Sequence, residues 1–240
     1  MNHQDSKKSS LDEIRERFDN DVERFSNLET GQQTTIDAPV TLELTTSAAL
    51  FVNPDAKAML DIGCGAGNYS LKMLEKIPGL DCTLIDLSRP MLDKAKERVS
   101  AATSGTVEIL QQDILEAEFP VEHFDIILAA AVLHHLREDA DWERVFSKLY
   151  QSLKPGGSFW ISDLIVHDAV HLNQLFTQRY AEYLEGLGGP EYRQKVFDYI
   201  EKEDTPRSVN FQLDLMKKVG FRDTEVLHKN GCFAAFGGIK

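Results

Sequence analysis

Apolar residues recur along the chain in two different rhythms. Leu11, Ile14, Phe18, Val22 and Phe25 follow helical spacing on an otherwise charged segment, which predicts an amphipathic helix over 11–28. A polar loop at 30–35 follows, and 40–52 reads as a second helix. Beyond it, short apolar runs at 58–62, 82–87, 106–110, 124–130 and 158–166 alternate with helical stretches. That alternation predicts βαβ units on a parallel sheet. The polar residues 1–10 are expected to fray.

The helices between these strands carry clear punctuation. Leu71 and Leu74 lie one turn apart after Asn68. Ser88 suits an N-cap, Pro90 sits in the first turn behind it, and Leu92, Ala95 and Val99 form a stripe. Glu138, Asp139 and Asp141 place negative charge at the positive end of the next helix dipole. Trp142, Val145, Phe146, Leu149 and Leu153 then give it one wide apolar face, ended by Pro155-Gly156-Gly157. The stretch 167–203 breaks the alternation with two helical segments rich in aromatics, separated by Gly186-Leu187-Gly188-Gly189-Pro190. A helix over 208–219 and a hairpin around Asn230-Gly231 close the chain.

Composition narrows the function classes. The 240 residues allow one large domain or two small ones. Acidic residues outnumber basic ones 39 to 26, a net charge of -13, so nucleic acid and anionic membranes are disfavoured partners. The longest apolar run, 126–133, is far too short to span a bilayer, and the polar start has no secretory signal. Cys64, Cys82 and Cys232 form no CxxC pair, which suits a reducing, cytoplasmic setting without a disulfide frame or zinc site.

The run Met59-Leu60-Asp61-Ile62-Gly63-Cys64-Gly65-Ala66-Gly67-Asn68 is the most informative. A buried strand ends in three alternating glycines and enters a helix. Glycine permits positive φ and lets a ligand approach bare main chain; geometry alone would also explain a tight turn. A dinucleotide loop places its third glycine three residues after the second, whereas here the interval is two. Asp61 beside the loop would repel a pyrophosphate and suits a ligand carrying an ammonium group. Asp86, at the end of the second strand, can accept both hydroxyls of a ribose or cap the following turn.

At these residues the chain resembles the class I S-adenosylmethionine (SAM)-dependent methyltransferases. The run 60–67 is similar to their first motif, and the likeness continues through Asp86, Gln112-Asp113-Ile114, Phe124-Asp125-Ile126-Ile127, Val132-Leu133-His134-His135-Leu136 and Leu153-Lys154-Pro155-Gly156-Gly157. The resemblance implies a Rossmann-like α/β fold: a seven-stranded, mostly parallel sheet with helices on both faces and an antiparallel C-terminal strand. It implies a single domain over 1–240, with an N-terminal helical cap at 1–53, a SAM-binding core at 54–166, a helical lid at 167–205 and a C-terminal helix and hairpin at 206–240. It implies SAM as cofactor. Gly63, Cys64, Gly65 and Gly67 would receive the methionine moiety, with Asp61 near its amino group and the backbone at Ala129 and Ala130 facing it. Asp86 would hold the ribose, Asp113 the adenine amino group, and Leu87 and Ile114 would flank the ring.

Methyl transfer from a sulfonium is an in-line displacement, so the protein mainly holds donor and acceptor in near-attack geometry. A general base is needed only where the acceptor starts protonated. His134, Asp163 and Tyr180 are the catalytic candidates, with His135 beside them. The adjacent histidines, set about 100° apart on a helix, are not expected to share a metal. The aromatics of 167–203 and the helix over 11–28 are expected to cover the acceptor; a larger core or a homodimer face is the alternative. A small-molecule acceptor is expected. The layout is also similar to carboxy-SAM synthases of tRNA wobble-uridine modification, which carry an arginine where this chain has Phe197, near Arg193 and Lys195, and an asparagine where it has Ala130. A SAM-binding protein without catalysis is a third reading. An NAD oxidoreductase is disfavoured by the glycine spacing and Asp61.

Overall fold

A computed structural model describes residues 8–27 and 32–240. Residues 1–7, expected to fray, and 28–31, at the end of the predicted first helix and the start of the polar loop, lie outside the described residues. Two short helices open the chain, α1 (Leu11–Asp19) and α2 (Val22–Ser26), followed by α3 (Ala38–Val52). The core runs β1 (Ala58–Ile62), α4 (Asn68–Lys76), β2 (Asp81–Asp86), α5 (Arg89–Ala102), β3 (Val107–Gln111), β4 (Phe124–Ala130), a 3-10 turn (Leu133–His135), α6 (Asp139–Ser152) and β5 (Leu153–Leu164). It ends with α7 (Val170–Glu203), α8 (Val209–Val219), β6 (Asp223–Asn230) and β7 (Phe233–Ile239).

The strands form one seven-stranded sheet in the order β3-β2-β1-β4-β5-β7-β6. Neighbours from β3 through β5 pair in parallel, and β7 runs antiparallel between β5 and β6. The expected α/β architecture is therefore present. Strand order reverses between β1 and β4, and in such sheets the crevice beyond the strand ends at that point receives the ligand.

Alternation along the strands divides the core into two layers. Leu60 and Ile62 of β1 and Ile127 of β4 face Trp142, Phe146 and Met216 of the α6 and α8 layer. Met59, Ile126 and Leu128 face the opposite layer, where Leu42, Met73 and Leu92 pack. Trp142, Phe146 and Phe159 are fully buried, and such side chains contribute roughly 1.5–3 kcal/mol each on leaving water. Burial on both faces explains why the strands read as apolar runs rather than simple alternations.

The helix boundaries follow local chemistry. Ser88 accepts from the amide of Met91 (3.3 Å), and Ser208 from that of Phe211 (3.1 Å). Ser10 and Glu13 form a capping box, so α1 starts where its apolar stripe starts. Two expectations need correction. The predicted helix 11–28 is broken at Asn20 and Asp21 into α1 and α2. Residues 8–10 do not fray: Lys8 donates to the carbonyls of Glu201 (2.7 Å) and Asp204 (2.6 Å), and Ser9 is buried. The two aromatic segments of 167–203 are two helical arms of α7, as expected, set apart where Gly189 takes φ +80° ahead of Pro190.

Candidate active site

A cavity of about 1010 Å³ opens over the C-terminal ends of β1, β2 and β4. The glycine loop forms its floor, α1 and α2 cover one side, and α7 closes the other. The loop's glycines serve different ends. A Cβ on Gly63 (φ +61°) would lie 2.5 Å from Val132 Cγ2, so that position is closed by packing. Gly65 (φ +50°) would meet nothing within 4 Å, so its bare main chain faces open cavity. Gly67 packs against Val99 and Ala95 at the start of α4, away from the cavity wall. Ala129 likewise turns into the core, leaving Ala130 and Ala131 on the wall. Neither Gly67 nor Ala129, both expected at the cofactor, is among the residues that line the cavity. Ala131 has φ +51°, an uncommon conformation for a residue with a Cβ, held by its amide donating to the Ser162 carbonyl (2.9 Å).

Acidic groups line the floor. Asp61 is buried on β1 and accepts from the Ser70 hydroxyl (2.6 Å). Burial, reinforced by the charge of Asp86, pushes its carboxyl up to about 7. Asp86, at the end of β2, accepts the amides of Gly65 (2.9 Å) and Ser88 (2.9 Å), so it braces the loop as well as facing the cavity. Burial raises its pKa too, against those bonds. Asp113 accepts the Leu115 amide (3.0 Å) and lines the cavity with Ile114 and Leu87. Cys64 also reaches the wall, with its thiol raised by burial. A buried carboxylate with no cation at it among the described residues, beside bare main chain, and further acids along one crevice, fit the ammonium and hydroxyl groups of SAM.

The other end has a different chemistry. Asp163 on β5 accepts from the amides of Leu133 (2.9 Å), His134 (3.2 Å) and Leu164 (2.8 Å), and from His134 Nδ1. His134 Nε2 lies 3.7 Å from Asp204 Oδ1, and His135 Nδ1 lies 3.3 Å from the same oxygen. Burial works against a charged His134, but Asp163 and Asp204 outweigh it and lift its pKa to about 9. Burial, then the neighbouring His134, push His135 down. The two imidazoles therefore converge on one carboxylate, with ring centres 4.3 Å apart. The 3-10 turn that carries them is held by Asp163, and Asp204 reaches both rings from the end of α7.

Asp204 was not legible as a site residue; it caps α7 and is tied to this turn by the Thr205 amide donating to the His134 carbonyl (2.6 Å). Arg17 on α1 reaches Tyr199 Oη (2.6 Å) and Glu203 (2.9 Å), docking the cover onto α7. Asn68 donates to the Phe25 carbonyl (2.9 Å) on the opposite side. Tyr180 lines the cavity with its ring, while its hydroxyl donates to the Thr34 carbonyl (2.9 Å) and burial pushes its pKa up. It is a wall rather than a base. The remaining surface at this end is largely apolar and aromatic, from Leu11, Ile14, Tyr192, Val196, Tyr199 and Ile200.

Sheet order, glycine loop and strand-end acids define a Rossmann-like α/β fold with a cavity at its strand ends. The methyltransferase-domain family model matches residues 59–157, and over that stretch the chain is similar to SAM-dependent methyltransferases. It is 26% identical over 187 residues to a carboxy-S-adenosyl-L-methionine synthase of Nautilia profundicola, covering 78% of each chain. It is 26% identical, again over 187 residues, to a demethylmenaquinone methyltransferase of Listeria welshimeri, covering 76% of this chain and 78% of that one. Among solved structures, human N-acetylserotonin methyltransferase in complex with SAM shares the fold with a TM-score of 0.65 at 18% identity. That match covers 99% of this chain and 64% of the human one, so the chain spans less than two thirds of that neighbour.

Proposed function

We propose that the chain transfers the methyl group of SAM to a small, largely apolar acceptor. One observation carries this reading: a single cavity joins an acidic floor with bare main chain to an apolar, aromatic end that holds His134 and His135. Its 1010 Å³ stands at the top of the roughly 300–1,000 Å³ usual for one ligand, which supports two molecules side by side. The cofactor supplies a methyl group on a cationic sulfur, already activated for displacement. Gly65, Asp61, Asp86 and Asp113 bind and orient it from the floor. Asp163 orients His134 beside the acceptor's attacking atom, and α1, α2 and α7 exclude water. The three free cysteines support a reducing, cytoplasmic setting. Among the described residues no helix is long and apolar enough to cross a membrane.

Lys195 favours a second reading. Its position on α7 reaches the cavity, whereas Phe197, aligned with the arginine of carboxy-SAM synthases, packs against Tyr180. A cation is therefore available to an added carboxylate, as carboxy-SAM synthesis would require. Incubation with methyl-labelled SAM and a metabolite extract separates the readings. Label in a small apolar product is the expected result. Label retained in a carboxylated nucleoside would replace the first reading with the second.

A further inference from the structure

We propose that His134, His135 and Asp204 form a binding site for a divalent transition metal ion, with zinc the best chemical match, at the acceptor end of the cavity. Three ligand atoms, one from each residue, lie within 4.8 Å of one another. His135 Nδ1 stands 3.3 Å from Asp204 Oδ1, and His134 Nε2 stands 3.7 Å from it. A tetrahedral zinc ion with bonds of about 2.0–2.1 Å sets its ligand atoms roughly 3.3–3.4 Å apart. The His135–Asp204 spacing is that of neighbouring ligands, and the His134 imidazole has to move closer to complete the sphere.

Hydrogen bonding does not account for the cluster. Both ring nitrogens of His135 and Oδ1 of Asp204 are buried without a hydrogen-bond partner, and the Asp204 side chain is only 2% exposed. Buried polar atoms are ordinarily satisfied, so His135 Nδ1 and Asp204 Oδ1, which lie 3.3 Å apart, mark a place for a missing partner. Local charge agrees. Asp163 and Asp204 are both buried here; of the cations nearby, Arg17 is engaged by Glu203 and Tyr199, and Lys8 by the carbonyls of Glu201 and Asp204.

The surroundings of His134 have the arrangement that tunes metal-bound imidazoles. Its Nδ1 is held by Asp163, whose second oxygen is fixed by the amides of Leu133 and His134. A carboxylate behind one ring nitrogen sets the tautomer and aims the other nitrogen at a metal. Two nitrogens and one carboxylate favour zinc, cobalt or a similar ion over magnesium or calcium, which take oxygen ligands. All three residues line the cavity, so the fourth position is open to water or to an acceptor heteroatom. The site rests on these residues alone; only its meeting with an acceptor rests on the methyl-transfer reading.

The untagged full-length chain, freed of metal by chelation, is titrated with zinc by calorimetry and with cobalt by visible absorption. The expected result is one equivalent bound, with the intense d–d bands of four-coordinate cobalt. Asp204→Asn and His135→Gln should each weaken binding by about 100-fold or more, and Asp163→Asn by about 10–100-fold through orientation of His134. Circular dichroism accompanies each variant, and if the variants do not fold the wild-type cobalt spectrum decides. No stoichiometric binding by the wild type, or undiminished binding by folded Asp204→Asn and His135→Gln, overturns the site. SAM titrated into the same samples keeps the two claims apart: SAM binding without metal binding defeats only the metal site, and the reverse defeats only the methyl-transfer reading.

Discussion

The two ends of the cavity are built in opposite ways. The cofactor end draws on consecutive strand ends, and its main parts, the loop 63–67, Asp86 and Asp113, lie within about fifty residues of chain. Its acids are braced by nearby backbone, as when Asp86 accepts from Gly65 and Ser88. The acceptor end brings together α1, the His134–His135 turn, β5 and the far end of α7. Asp204 is some seventy residues from the histidines it faces. A local frame preserves one ligand geometry, whereas a frame assembled from outside the sheet can change its walls without disturbing the strands.

The sharpest break in that contrast is Asp163→Ala. It removes the acceptor of three amides and of His134 Nδ1 inside a buried network, so stability should fall by about 3–5 kcal/mol in urea unfolding. Next comes Gly63→Ala, where the added Cβ meets Val132 and φ is +61°. Overpacking of about 1–3 kcal/mol plus a left-handed cost of about 1–2 kcal/mol should lower the urea midpoint clearly. Gly65→Ala, two residues on, has no neighbour to strike. Its stability loss should stay near the conformational term, about 1–2 kcal/mol, while SAM affinity drops at least about tenfold because the methyl group enters the cavity. Equal effects at the two glycines would erase the distinction between a packed loop position and a ligand-facing one.

Asp61 gives a pH test of the cofactor end. Its carboxyl is raised to about 7 in the folded chain from an ordinary value near 3.8. The stability it contributes is present below the ordinary value and is lost as pH rises through about 7. An ammonium group beside it favours the carboxylate, so SAM binding should release a proton. Affinity should then rise by up to about tenfold per pH unit below 7 and level off above it, with Asp61→Asn flattening the profile. Smallest of all is Tyr180→Phe, which removes one bond to the Thr34 carbonyl. About 0.5–1.5 kcal/mol should be lost, with the turnover number unchanged; a collapse in turnover would return Tyr180 to the catalytic group.

What could be read from the chain follows the same division. The strands and the helices between them were legible because period, caps and glycines act over a few residues. Asp61, Asp86 and Asp113 fall where strand ends place them. For Gly67 and Ala129 the motif position says nothing of which way the chain turns them: one packs on α5, the other into the sheet core, and neither lines the cavity. The break at Asn20 and Asp21 goes with the docking of α1 on α7 through Arg17, a contact between distant parts of the chain. Asp204 reads in isolation as an acid at a helix end. Only the fold brings it to the histidines.

Calorimetric titration of the full chain with SAM, and with NAD in parallel, tests the central assignment most directly. One SAM per chain, bound with proton release below pH 7, and no NAD binding are the predicted results. NAD taken up while SAM is refused would contradict the reading of the glycine loop and of Asp61 beside it.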